Sequence, residues 1–222
     1  MAKCKYCGRS GLFLSVSSEG LCKTCQPIVV MDVKQRGRII NDSMRLIEES
    51  KKLDTQISRC DLLLEHAAEL AEYEKRGIPT IKPPPSALLQ GYRQIRDELI
   101  LAGLEAAIQT AQAKADIATT TKSKINHLSK ALLKVREYKT KSSDPTALHV
   151  LETKLVSLIH QTELDGYLEK ARKAEFKGRR KQALDQYYEA LYFLKHDEID
   201  DSLQTDHISA IEAKIAELES QE

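Results

Sequence analysis

The sequence has no Trp and only three Phe beside eight Tyr, so that aromatic residues make up 5% of its 222 positions. Rings bury the most apolar area per residue, and a rounded core filled by them is excluded. Net charge is also lacking. The 34 Lys and Arg stand against 33 Asp and Glu, a formal +1, which excludes attachment to nucleic acid or an anionic membrane through the field of the whole chain. No apolar run approaches the roughly 20 residues of a membrane span, and Met1-Ala2-Lys3-Cys4 opens without the apolar stretch of a secretory signal. The expectation is a cytoplasmic protein with no membrane partner. Missing too are a Gly-rich phosphate loop, a nucleophile elbow and a His pair at helical i, i+4 spacing; His66, His127, His149, His160, His196 and His207 are scattered. A non-enzymatic protein is expected, with no catalytic residues.

What is present begins with cysteine. Four of the five Cys lie in the first 25 residues as Cys4-Lys5-Tyr6-Cys7 and Cys22-Lys23-Thr24-Cys25, fourteen residues apart. A two-residue spacer lets both thiolates of a knuckle turn toward one ion, and two knuckles complete a tetrahedral shell at about 2.3 Å. The gap is one residue short of the usual range, which a hairpin can absorb. Disulfides are disfavoured by a reducing cytosol, and a thioredoxin-like redox pair by the absence of a βαβ pattern around either motif. One structural Zn²⁺ per chain is the expected cofactor, held by Cys4, Cys7, Cys22 and Cys25, with iron as the alternative. Four thiolates leave no open position for a catalytic water. Cys60 stands apart in a helical region and reads as a packed apolar residue.

Between the knuckles, Leu12–Val16 reads as a short strand and Ser17–Gly20 as the turn of a hairpin returning to Cys22; Gln26-Pro27 then opens a helix. In Cys4, Cys7, Gly8, Gly20, Cys22 and Cys25, residues 3–30 resemble the treble-clef zinc fingers and, more loosely, the zinc ribbons. The resemblance implies a small finger with one β-hairpin, residues 1–28. It implies no single function, because such fingers bind DNA, RNA or proteins, or only staple a chain.

Helical stripes follow. Ile40, Met44 and Ile47, then Leu53, Ile57, Cys60, Leu64, Ala67 and Ala71, recur every three or four residues without a Pro, and the gap from Ile47 to Leu53 interrupts any heptad. Residues 77–85 hold four of the six Pro and read as a semi-rigid connector. Beyond it run the stripes Leu88, Tyr92, Ile95, Leu99, Leu104, Ile108 and Ala111, and Ile125, Leu128, Leu132, Val135 and Tyr138; the polar Thr119–Ser123 between them breaks or weakens the helix. Residues 29–141 are thus expected to form a long antiparallel helical hairpin turning at the connector. A homodimer is the other way to cover its apolar faces.

The third segment, 142–222, starts at Asp144-Pro145, a cap followed by a first-turn Pro. Tyr167, Ala171, Gly178, Ala183, Tyr187, Ala190 and Leu191 stand at the spacings of a tetratricopeptide repeat, which residues 164–197 resemble. No copy lies 34 residues before or after, so a single repeat-like hairpin is expected, capped by a helix carrying Ile208, Ile211, Ile215 and Leu218. The fold class is mainly α: a small finger, a long helical hairpin and a C-terminal repeat-like bundle.

Charge is segregated along the chain. Residues 1–40 carry Lys3, Lys5, Arg9, Lys23, Lys34, Arg36 and Arg38 against two acids; residues 170–181 carry seven cations against one acid; from His196 onward nine acids face Lys214 alone. The expected role is an adaptor whose zinc lobe and C-terminal module dock protein partners, the latter through Lys177, Arg179, Arg180, Lys181, Tyr187 and Tyr188. The alternative is a nucleic-acid-binding factor using the seven cations of residues 1–40, weakened by the few aromatics among them.

Overall fold

The computed structural model describes residues 2–197, 199 and 201–220. Its elements are β1 (Ala2–Lys3), β2 (Ser10–Gly11), α1 (Cys25–Glu49), α2 (Leu53–Lys75), α3 (Pro85–Ile117), α4 (Thr121–Lys139), α5 (Thr146–Phe176), α6 (Arg180–His196) and α7 (Thr205–Glu219), with a 3₁₀ turn at Asp201–Leu203. The chain is mainly helical and carries a two-stranded antiparallel pair at its N-terminus. Two compact units divide it, one of residues 1–104 with 138–147, the other of 105–137 with 148–222. Both ends of the sequence-based middle segment, at 28 and 141, therefore fall inside a unit.

In the first unit, β1 and β2 pair Ala2 with Gly11 and Lys3 with Ser10. The strand therefore lies earlier than Leu12–Val16. The reason is the first knuckle: Cys4 N donates to Arg9 O at 2.9 Å, closing the Cys4–Arg9 turn and bringing β1 and β2 together. Of the expected strand only an isolated Val16–Cys22 bridge remains. The Ser17–Gly20 turn stands where the sequence puts it, with Ser17 N bonded to Leu21 O at 2.8 Å and Gly20 at φ +83°, a left-handed conformation that favours Gly.

The chain reverses at Ser50–Lys52, the stretch where the apolar stripe skips. Ser50 is extended at ψ 137° and Gln56 Nε2 donates to Ile47 O at 3.1 Å, so α1 ends and α2 folds back on it. The pairing is antiparallel: Arg36 meets His66 and Asp32 meets Tyr73. Ile40 and Ile47 of α1 bury against Cys60, Leu63, Ala67 and Leu70 of α2, joined by Leu88 of α3. Each large aliphatic chain buried there stabilises the unit by about 1.5–3 kcal/mol. The hairpin of this segment thus turns well before the Pro-rich connector. That connector folds back on α1: Ile81 lies so close to Gly37 that a Cβ there would stand 2.9 Å from its Cγ2. Ser86 N and Oγ both bond the Glu74 carboxylate at 2.9 Å, fixing the start of α3.

In the second unit Thr120 Oγ1 accepts from Ser123 N at 3.2 Å, a side-chain cap that starts α4 and settles the polar stretch as a break. Asp144, in the stretch that belongs to the first unit, accepts from Thr146 N at 2.9 Å at the start of α5; the Thr146 hydroxyl first, then this amide, holds its carboxyl below the usual range. The α5–α6 turn closes through Gly178 at φ +64°, with Arg179 N bonded to Ala174 O at 2.9 Å. Ala171, Ala174, Ala183, Tyr187, Ala190 and Leu194 of this hairpin share one core with Ile211, Ile215 and Leu218 of α7. Among the described residues no helix is long and apolar enough to cross a membrane.

Candidate metal centre and docking surfaces

The β1–β2 turn delivers Cys4 and Cys7, while Cys22 and Cys25 sit at the entrance to α1, where the sequence places them. Cys25 N and Gln26 N both donate to Cys22 O, at 3.0 and 2.9 Å, turning the second knuckle into the helix. The four sulfurs lie within 4.8 Å of one another, with Cys7 and Cys22 Sγ 4.0 Å apart. A tetrahedral ion at about 2.3 Å from each sulfur needs edges near 3.8 Å, so small side-chain rotations close the shell. Cys4, Cys22 and Cys25 are buried and Cys7 is exposed. The residues fit a metal ion.

Electrostatics favour the same conclusion. The Cys7 amide, helped by those of Cys22 and Tyr6 against the effect of burial, brings the Cys4 thiol down to about 6. Cys22 is lowered as well, chiefly by the Cys25 amide. Burial first, then the neighbouring thiols, pushes Cys25 up to about 12. The backbone thus prepares Cys4 and Cys22 to ionise, while burial and the neighbouring thiols keep Cys25 protonated unless a cation stands among them.

The centre is built into the unit. Cys4, Leu21, Cys22, Cys25 and Val29 share a core with Ile78 of the connector. Lys5 crosses Gly20 and donates from Nζ to Gly77 O at 2.6 Å. Arg76 donates to Tyr6 O at 3.3 Å, and the Tyr6 and Tyr73 rings meet edge to face at 5.9 Å. On the far side of the finger Leu12 and Phe13 are 84% and 101% exposed.

The seven cations assigned to a nucleic-acid surface do not act alike. Lys3, Arg9, Lys23, Lys34 and Arg38 are exposed. Lys5 is exposed too but tethered to Gly77 O, and Arg36 is paired with Asp32 at 3.0 Å, with His66 and Glu69 beside it. The proposed C-terminal contacts also divide. Lys177, Arg179, Lys181 and Tyr188 are exposed. Tyr187 is 4% exposed and its hydroxyl bonds Glu175, so it packs the hairpin and presents nothing to a partner. Arg180 donates to Glu219 O at 3.0 Å, and Tyr188 to the Glu219 carboxylate at 2.6 Å. Lys195–Glu212 and Lys214–Glu175 pairs, at 2.8 and 3.6 Å, use further acids of the tail and of α5. Glu198, Asp200 and Glu222 lie outside the described residues.

One surface escaped the sequence. Val30, Val33, Lys34, Gly37, Arg38 and Asn41 line a groove of about 400 Å³ with Ile78, Pro79 and Ile81, and Glu19 also reaches it. The signal was there: these α1 residues recur every three or four positions on a stripe beside the buried one, and Gly37 stands inside a continuous helix that a Gly disfavours. No protein-family model matches the chain, and no curated protein or solved structure shows significant similarity to it.

Proposed function

We propose that this is a non-enzymatic, zinc-binding docking protein whose finger and C-terminal helical hairpin present surfaces to protein partners. The observation that carries the reading is the four-thiol centre holding a loop on which Leu12 and Phe13 stand open to solvent. Exposing a whole Phe side chain costs about 1.5–3 kcal/mol of burial, a cost that contact with a partner recovers. The metal acts as a staple: it fixes the base of the loop and closes its own shell. Zinc suits four thiolates without redox chemistry, and iron would declare itself by visible absorption. We read the finger as treble-clef-like and the α5–α6 pair as one tetratricopeptide-like unit, on the sequence spacings alone. Neutralisation of Arg36 by Asp32 weakens the nucleic-acid alternative.

Two measurements test the reading. Elemental analysis of the purified full chain should find one equivalent of zinc, and Cys22→Ser should abolish it while most helicity by circular dichroism remains. A photo-crosslinking residue at position 13, in the cells that express the protein, should yield discrete protein adducts that Cys22→Ser removes. Adducts to nucleic acid, or none above background, would refute docking; a metal-free wild type would refute the staple.

A further inference from the structure

The groove on α1 lies apart from the Phe13 loop in character, since its walls are already folded and its opening is charged. Val30 and Val33 form one side and Ile78 and Ile81 the other. Val30 is 51% exposed although its neighbour Val29 is 1% exposed, which marks the edge between core and open surface. Gly37 is what admits Ile81 to the helix, because a Cβ at 37 would stand 2.9 Å from the Ile81 methyl group. The shape is therefore set by packing and does not wait for a ligand.

The rim decides the occupant. Lys34 and Arg38 follow one another by a helical turn at the mouth, both exposed. Among the described residues neither has an ion pair. Arg36 on the same helix is neutralised by Asp32 and Glu69, and Glu19, the one acid of the lining, is held by Ser17 Oγ and Gln26 Nε2, both at 3.3 Å, so Lys34 and Arg38 keep a net positive charge at the groove. An apolar trough beside two free cations is complementary to a segment that carries apolar side chains next to carboxylates. Nucleic acid suits it poorly: its phosphates would find the cations, but its sugars and bases would face largely aliphatic walls, with the Glu19 carboxylate repelling phosphate and Asn41 the remaining polar group. A volume of about 400 Å³ holds two or three side chains, the scale at which a short amphipathic helix anchors in a groove.

We propose that this groove binds an acidic, amphipathic peptide segment of a partner protein, its apolar residues between α1 and the Ile78–Ile81 strap and its carboxylates on Lys34 and Arg38. The assignment rests on the docking reading above and supplies the chemistry of one partner. Binding is steered by charge and held by burial, so salt slows association more than it speeds release.

A displayed library of random 12-residue peptides, selected on the zinc-loaded full chain, provides the probes. Enriched peptides should combine Asp or Glu with Leu, Ile or Phe. Their synthetic versions should bind at least tenfold more weakly to Lys34→Glu/Arg38→Glu and to Val30→Glu, and several-fold more weakly in 0.5 M than in 0.05 M salt. Val30→Leu should retain binding. All these positions are exposed, so unchanged circular dichroism and zinc content should accompany the loss. Enriched peptides indifferent to the substitutions would overturn the groove while leaving docking intact. A lack of any enriched acidic peptide would overturn it too, as would a wild-type dimer, by ultracentrifugation, that the same substitutions dissolve. Failure of docking itself is read separately, by the crosslinks at position 13.

Discussion

Tyr73 shows how single groups tie the finger to the helices. Its ring meets Tyr6 and its hydroxyl donates to Asp32 at 2.9 Å. Burial first, then Asp32, pushes its pKa up to about 12 from an ordinary 10. A raised folded-state pKa favours the neutral form, so this contribution to stability is complete below pH 10 and is lost as pH climbs toward 12. Alkaline denaturation followed by near-ultraviolet circular dichroism should therefore be shifted to higher pH in Tyr73→Phe. At neutral pH that variant should lose about 1 kcal/mol with the hydrogen bond. An unchanged alkaline midpoint would mean that Tyr73 ionises freely in the folded protein. The cysteines were legible because metal chemistry demands residue type and spacing together. Tyr73 was not, since its partner lies 41 positions away and neither residue belongs to a local motif.

Elements were legible where periodicity is strong and misjudged where a chain folds back on itself. The stripe through Ile40, Ile47, Cys60 and Ala67 is real, but its skipped turn is a reversal, because Ser50 takes an extended backbone and Gln56 reaches back to Ile47. Similarly Ile95 lies on the expected stripe of α3 yet is 36% exposed, while Ile100, off that stripe, is fully buried. A period of 3.6 lets a long helix present different faces to successive neighbours. The α5–α6 hairpin was the most legible element, because small residues at a close crossing leave little freedom in what can pack there. Ala171, Ala183 and Ala190 are each fully buried. Ala183→Leu should thus cost about 1–3 kcal/mol by overpacking, and Tyr187→Ala about 3–5 kcal/mol by leaving a cavity. Urea unfolding followed by circular dichroism measures both. A neutral Ala183→Leu would show that α5 and α6 have room between them.

For the whole molecule the decisive property is how the two units draw on the sequence. Each is discontinuous: the first recovers residues 138–147 after the second has begun, and the division falls within α3. Composition and proline spacing cannot reveal this, because they mark flexible joints and this boundary runs through a helix. Since α4 groups with residues 148–222, we expect residues 142–222, a tidy segment in the sequence, to be an incomplete fold on their own. They lack α4, whose Thr121 stands against Gly166 so closely that a Cβ there would be 2.6 Å from the Thr121 methyl. They lack the Arg136 side chain that pairs with Glu152 at 2.7 Å, and they lose Leu128, Ala131 and Val135, all buried within α4. Residues 105–222 contain the second unit entire. Removing α4 should cost roughly 3–6 kcal/mol, taking about 1.5–3 kcal/mol for each of the two larger aliphatic chains. At about 4–8 °C per kcal/mol for a unit of this size, fragment 142–222 should melt at least about 10 °C below fragment 105–222, or fail to show a cooperative transition. Scanning calorimetry of the two fragments decides it: equal melting temperatures would detach α4 from the unit and restore a boundary near residue 141.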